Sequence, residues 1–110
     1  MENQKASVHP IDQMSSLQLM EALVARFGAQ RTVELFGWVF IIGPLSEIAF
    51  REPGALRAEL EKRGMKKSAI YRALADFRSF GEELEQGAWL PKDHTKTYQL
   101  VAKLFAVFSL

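Results

Sequence analysis

Lys66-Lys67-Ser68-Ala69-Ile70-Tyr71-Arg72 brings two ammonium groups, a hydroxyl, a phenol and a guanidinium into seven residues. These side chains suit a polyanion that also carries hydrogen-bonding edges. Arginine can bond guanine O6 and N7 together, a contact worth about 1–3 kcal/mol of discrimination against other bases. A tyrosine can meet a thymine methyl or a phosphate, and serine bonds either kind of base edge. Lys66 and Lys67 stand just ahead of an expected helix, where unpaired N–H groups and the positive end of the dipole already attract phosphate. Across 57–78, seven cations (Arg57, Lys62, Arg63, Lys66, Lys67, Arg72, Arg78) face three acids (Glu59, Glu61, Asp76), a net +4. The whole chain carries only +1, so its basic character is concentrated there.

Two helices and a glycine have to hold these groups. Residues 54–63 form an amphipathic segment with Leu56 and Leu60 one turn apart as its inner side, and Gly64 breaks it. A second helix is expected from Ser68 to about Glu85, with Ile70, Ala73, Leu74, Phe77, Gly81 and Leu84 on one stripe. At about 100° per residue, Ser68, Arg72, Ala75 and Ser79 gather around the opposite pole. Small residues flank one long guanidinium there, which lets the helix backbone approach a groove closely. Tyr71 sits at the edge of that face. Ser68, Tyr71, Arg72 and Ser79 are therefore the expected base-reading residues, and Arg63, Lys66, Lys67 and Arg78 the expected phosphate contacts. A short helix, a glycine turn and a second helix that is basic and polar on its free side is a way to enter a DNA major groove.

Gly64…Ser68-Ala69-Ile70-Tyr71-Arg72-Ala73-Leu74 resembles the recognition helix of helix-turn-helix and winged-helix bacterial regulators, and Leu56…Leu60…Arg63-Gly64 is similar to their supporting helix. The resemblance covers roughly 30 of the 110 residues. It implies that Gly64 makes the turn, that Ile70 and Leu74 pack inward, and that Ser68, Tyr71 and Arg72 face DNA. Lys66 stands where many of these regulators place a capping Ser or Thr, which passes the cap to Ser68 and a later helix start. Leu60 stands where compact helix-turn-helix proteins often have Ala, implying a wider crossing. Gly81-Glu82-Glu83-Leu84-Glu85 follows where a wing would begin, with no alternating strand pair, so the wing is expected to be absent or rudimentary.

The remaining elements read as core and scaffold. Residues 1–14 are polar and are expected to form a loose arm ahead of a single domain, 15–110. Ser15 and Gln18 have the spacing of a capping box. Leu17, Met20, Leu23, Val24 and Phe27 then recur at helical spacing up to a stop at Gly28. From Gln30 to Ile42 a second helix, or a helix ending in a strand, carries Phe36, Trp38 and Phe40 as expected core residues, and Pro44 ends it. A short helix follows over 45–51. The last helix, 95–110, is apolar on more than one face and needs two partners. One is the core; the other is expected to be a second copy, with Val101, Leu104, Phe105 and Phe108 as the homodimer interface. The predicted fold class is all-α, five or six helices around a central helix-turn-helix at 54–85.

Composition narrows the chemistry. With 48% apolar and 25% charged residues the chain has enough material for one core and lies outside the disordered range. There is no cysteine, which excludes disulfides, thiolate metal sites and cysteine nucleophiles. His9 and His94 are too far apart in sequence to suggest a metal motif, and Glu82, Glu83 and Glu85 read as a solvated helix end that would confine DNA to the Lys66–Arg72 side. No catalytic triad, phosphate loop or metal-ligand spacing is present, so neither an enzyme, a metal nor a cofactor is expected. The longest apolar run, Leu35 to Ile42, is too short for a membrane span, and no leader precedes it, giving a cytoplasmic expectation. The expected function is sequence-specific double-stranded DNA binding by a small dimeric transcriptional regulator, such as a repressor. The alternatives are a helical protein-interaction module, as an adaptor or inhibitor, and an accessory architectural protein in replication, partition or recombination.

Overall fold

The capping box at Ser15 starts the first long helix among the described residues. In the computed structural model, which describes residues 13–51, 54–84 and 94–109, Ser15 Oγ accepts from the Gln18 N–H at 3.2 Å while Gln18 Oε1 accepts from the Ser15 N–H at 2.8 Å. Helix α1 then runs Ser16–Ile42. A 3₁₀ turn, Gly43–Leu45, leads into α2, Ser46–Arg51. Three further helices follow: α3, Ala55–Lys62; α4, Lys67–Leu84; and α5, His94–Phe108. The fold is all-α, with no strand among the described residues.

Gly28 divides α1 into two helical segments, which is the stop expected at that residue. It leaves helical space for one residue, at φ 84° and ψ 162°, and the chain resumes helix at once. The Thr32 hydroxyl donates to the Gly28 carbonyl at 2.7 Å, a side-chain bond across the first turn after the bend. Beyond the bend, Thr32, Leu35, Val39 and Ile42 form the buried stripe, so residues 30–42 are helical throughout. The expected core faces need two corrections. Before the bend Leu19 and Leu23 are buried, whereas Leu17 is 66% and Val24 40% exposed. After it Trp38 is partly buried against the core, but Phe36 is only half-buried and Phe40 is 46% exposed.

Helix α5 closes the core. Leu100, Val101 and Leu104 are fully buried with Leu56 and Leu60 of α3 and Ile70, Ala73, Phe77 and Phe80 of α4. Val101 and Leu104 therefore belong to the protomer's own core and cannot form a dimer surface. Of the four expected interface residues only Phe105 and Phe108 stay partly accessible. Phe105 lies against Gly43, where no Cβ could fit without displacing it, so the Phe105 side chain packs directly on the backbone of the 3₁₀ turn.

The connection between α3 and α4 is a Schellman motif. Gly64 takes the left-handed φ of 88°, its N–H bonds the Glu61 carbonyl at 3.0 Å, and the Met65 N–H reaches back to the Leu60 carbonyl at 3.2 Å. Met65, partly buried, packs on the core beside this closure. The turn is the one expected from Gly64; the helix after it starts earlier than expected. Lys67 opens α4, and the Lys66 carbonyl accepts from the Ile70 N–H at 3.0 Å. Ser68 is thus inside the first turn and is not the cap. Gly81 to Leu84 continue α4, and residues 85–93 lie outside the described part, as do 1–12 of the arm.

Candidate nucleic-acid interface

Helix α4 buries Ile70, Ala73, Phe77, Phe80 and Gly81, and that stripe sets the direction of everything else on it. Lys66, Lys67, Ser68, Tyr71, Arg72 and Ala75 are exposed on the other side. The strip expected around Arg72 is therefore open to solvent over its N-terminal half. Its C-terminal half is not. Ser79 is half-buried and its hydroxyl accepts from Arg26 Nη2 of α1 at 2.8 Å; Arg26 Nε also holds Glu83 at 2.5 Å. One turn earlier Asp76 receives Arg31 of α1 at 2.7 Å, and Arg31 bonds Glu34 at 2.7 Å as well. Burial opposes the Arg31 charge, but Glu34 and Asp76 outweigh it and raise the guanidinium above its ordinary pKa. These bridges hold α1 along α4, so Ser79 is a brace between helices and not a base-reading group. Glu83 likewise serves the brace, and Glu82 pairs with Arg78, so neither is simply a solvated acid.

The expected phosphate contacts divide by partner. Arg63 pairs with Glu59 at 3.3 Å, and Lys62 approaches the same carboxylate at 3.9 Å. Arg78 pairs with Glu82 at 3.2 Å. Lys66, Lys67 and Arg72 have no carboxylate partner among the described residues. Uncompensated positive charge thus collects at the N-terminal end of α4, where the helix dipole has the same sign.

Tyr71 is engaged on the opposite flank from Arg72. Its hydroxyl receives Arg57 of α3, the Arg57 guanidinium lies 5.4 Å from the ring centroid, and Lys67 Nζ lies 5.9 Å from it. Cations over an aromatic face are attracted by its quadrupole. Arg57 counts in the basic segment by sequence, but its contact with Tyr71 joins residues fourteen apart across the turn and has no sequence signature. On the other flank a shallow groove of about 290 Å³ runs between α1 and α4, lined by Arg31, Trp38, Ser68, Ala69 and Arg72. Arg31 and Trp38 border the strip without any signal in the sequence, because they belong to a helix that the fold brings alongside. No cluster of potential metal ligands occurs among the described residues. No protein-family model, curated protein or solved structure matches the chain.

Proposed function

We propose that the α3–turn–α4 unit binds double-stranded DNA, with the N-terminal half of α4 as the contact. The observation that carries this reading is the uncompensated trio Lys66, Lys67 and Arg72 on an exposed face, beside Lys62, Arg63 and Arg78, which carboxylates neutralise. Lys66 and Lys67 would hold phosphates, Arg72 and Ser68 would meet base edges, and Tyr71 would contact the backbone or a methyl group while bonded to Arg57. Arg63 and Arg78 contribute less, since a bound phosphate would have to compete with Glu59 and Glu82. The role that suits this chemistry is a small transcriptional regulator acting in the cytoplasm.

Gel-shift titration with wild type, Arg72→Ala, Lys67→Ala and Ser79→Ala tests the assignment. Arg72→Ala should reduce preference for a selected site, by up to about 1–3 kcal/mol. Lys67→Ala should weaken cognate and random duplexes alike and flatten the logarithmic salt slope by about one unit. Ser79→Ala should leave sequence preference unchanged. Equal losses on all duplexes for every variant would remove the division of roles.

A second reading has its own observation. Phe36 and Phe108 meet edge-on at 4.9 Å between centroids, Phe40 and Phe105 at 5.8 Å, and Phe40 is 46% exposed. This accessible aromatic cluster, away from the basic strip, suits protein contact: a second copy, as a dimeric DNA binder requires, or a different protein in an adaptor role. Absence of any retardation at micromolar protein in low salt would favour the adaptor role over DNA binding.

A further inference from the structure

Between α3, α4 and α5 lies a second cavity, of about 440 Å³, lined by Gly54, Arg57, Tyr71, Leu74, Ala75, Arg78 and Tyr98. Its volume falls within the roughly 300–1,000 Å³ common for small-molecule sites, which combine apolar walls with a few polar groups. Leu74, Ala75 and the two phenol rings supply the apolar surface. The two guanidiniums differ. Arg78 is neutralised by Glu82, whereas Arg57 has only the neutral Tyr71 hydroxyl and ring as partners among the described residues. Arg57 is half-buried, so its charge is partly withdrawn from water without an opposite charge to replace it. Its remaining N–H donors are of a kind that matches a carboxylate in two parallel bonds.

We propose that this cavity binds a small aromatic monocarboxylate, its carboxylate on Arg57 and its ring system between Tyr71, Leu74 and Tyr98. One uncompensated guanidinium calls for one negative charge, and the phenol faces call for a flat apolar body. The position of Tyr98 agrees: it lines the same cavity as Arg57, and burial raises its pKa while the nearby Arg57 charge works in the opposite direction. Binding would exchange the neutral hydroxyl acceptor on Arg57 for a charged one and release Tyr71. The proposal is independent of DNA binding, and its test contains no DNA.

Isothermal titration with three probes separates charge from shape: 2-naphthoate has both, 2-naphthol keeps the rings, and acetate keeps the charge. Saturable one-to-one binding of 2-naphthoate is expected, about tenfold or more tighter than either other probe. Arg57→Gln should abolish the preference for naphthoate over naphthol. Ala75→Trp, which fills the cavity from an exposed position, should remove binding of both, and Lys62→Gln, outside the cavity, should change nothing. Circular dichroism and melting curves establish that each variant is folded; if Arg57→Gln fails to fold, Ala75→Trp carries the test. No saturable naphthoate binding below about millimolar, equal binding of naphthol, or unchanged affinity in both Arg57→Gln and Ala75→Trp would overturn the proposal.

Discussion

Arg57, Tyr71 and Tyr98 show how single side chains acquire roles through neighbours that are remote in sequence. Tyr98 is half-buried on α5, and that burial raises its pKa above the ordinary phenol value of 10.0, with the Arg57 charge opposing. A phenol with a raised folded pKa favours the protonated form in the native state. Its contribution to stability is fully present below about pH 10 and is lost as pH rises through the higher folded value. Denaturant melts should therefore show stability falling as pH rises above about 10, and Tyr98→Phe should make that fall shallower. An identical slope in the variant would mean that other groups cause the alkaline loss. The same dependence on neighbours sorts the arginines. Arg26 and Arg31 brace α1 on α4, Arg63 and Arg78 are neutralised within their own helices, and Arg72 faces solvent without a carboxylate partner among the described residues.

Among the helices, α1 depends most on one backbone angle. Its two parts join at Gly28, which adopts a φ of 84°, a region that costs any residue with a Cβ. Gly28→Ala should destabilise the fold by about 1–3 kcal/mol although open space surrounds the position. Gly37 provides the contrast. It lies inside regular helix, exposed, with nothing near its missing Cβ, so Gly37→Ala should stabilise by about 0.5–1 kcal/mol. Chemical denaturation of the pair checks both signs; equal effects would mean that the bend carries no conformational demand. Helix α3 illustrates a different control. Eight residues long, it is closed by the Gly64 Schellman bonds and held by Leu56 and Leu60, and so delivers α4 at a defined point in the chain.

For the protomer as a whole, α5 separates interior from surface. Leu104 is fully buried, and Leu104→Ala should cost about 2–5 kcal/mol through lost burial and the cavity left behind. Phe40 belongs to the accessible aromatic cluster, so Phe40→Glu should leave the helical content nearly intact and act on association instead. If two copies meet on that cluster, sedimentation at tens of micromolar should show a dimer for wild type and a monomer for Phe40→Glu. A wild-type monomer across that range would remove the dimer and leave the cluster to a different partner. Among the described residues no helix is long and apolar enough to cross a membrane.

Signals that act over a few residues were legible in the chain. The Ser15–Gln18 cap, the turn at Gly64, the inner stripe of α4 from Ile70 to Gly81 and the all-helical class follow from spacing and backbone preference, which are local. The buried side of α1 was not, because its apolar residues fall on more than one face. Only its packing partners select Leu19 over Leu17 and leave Phe40 in solvent. The candidate site divides in the same way. Exposure of Ser68 and Arg72 follows from the phase of α4, but the loss of Ser79 to Arg26, the burial of Val101 and Leu104, and the cavity around Arg57 arise where separate helices meet. A periodic pattern specifies which residues share a face; the neighbour that covers that face is chosen by the folded chain, because contact energies join positions that sequence separation keeps apart.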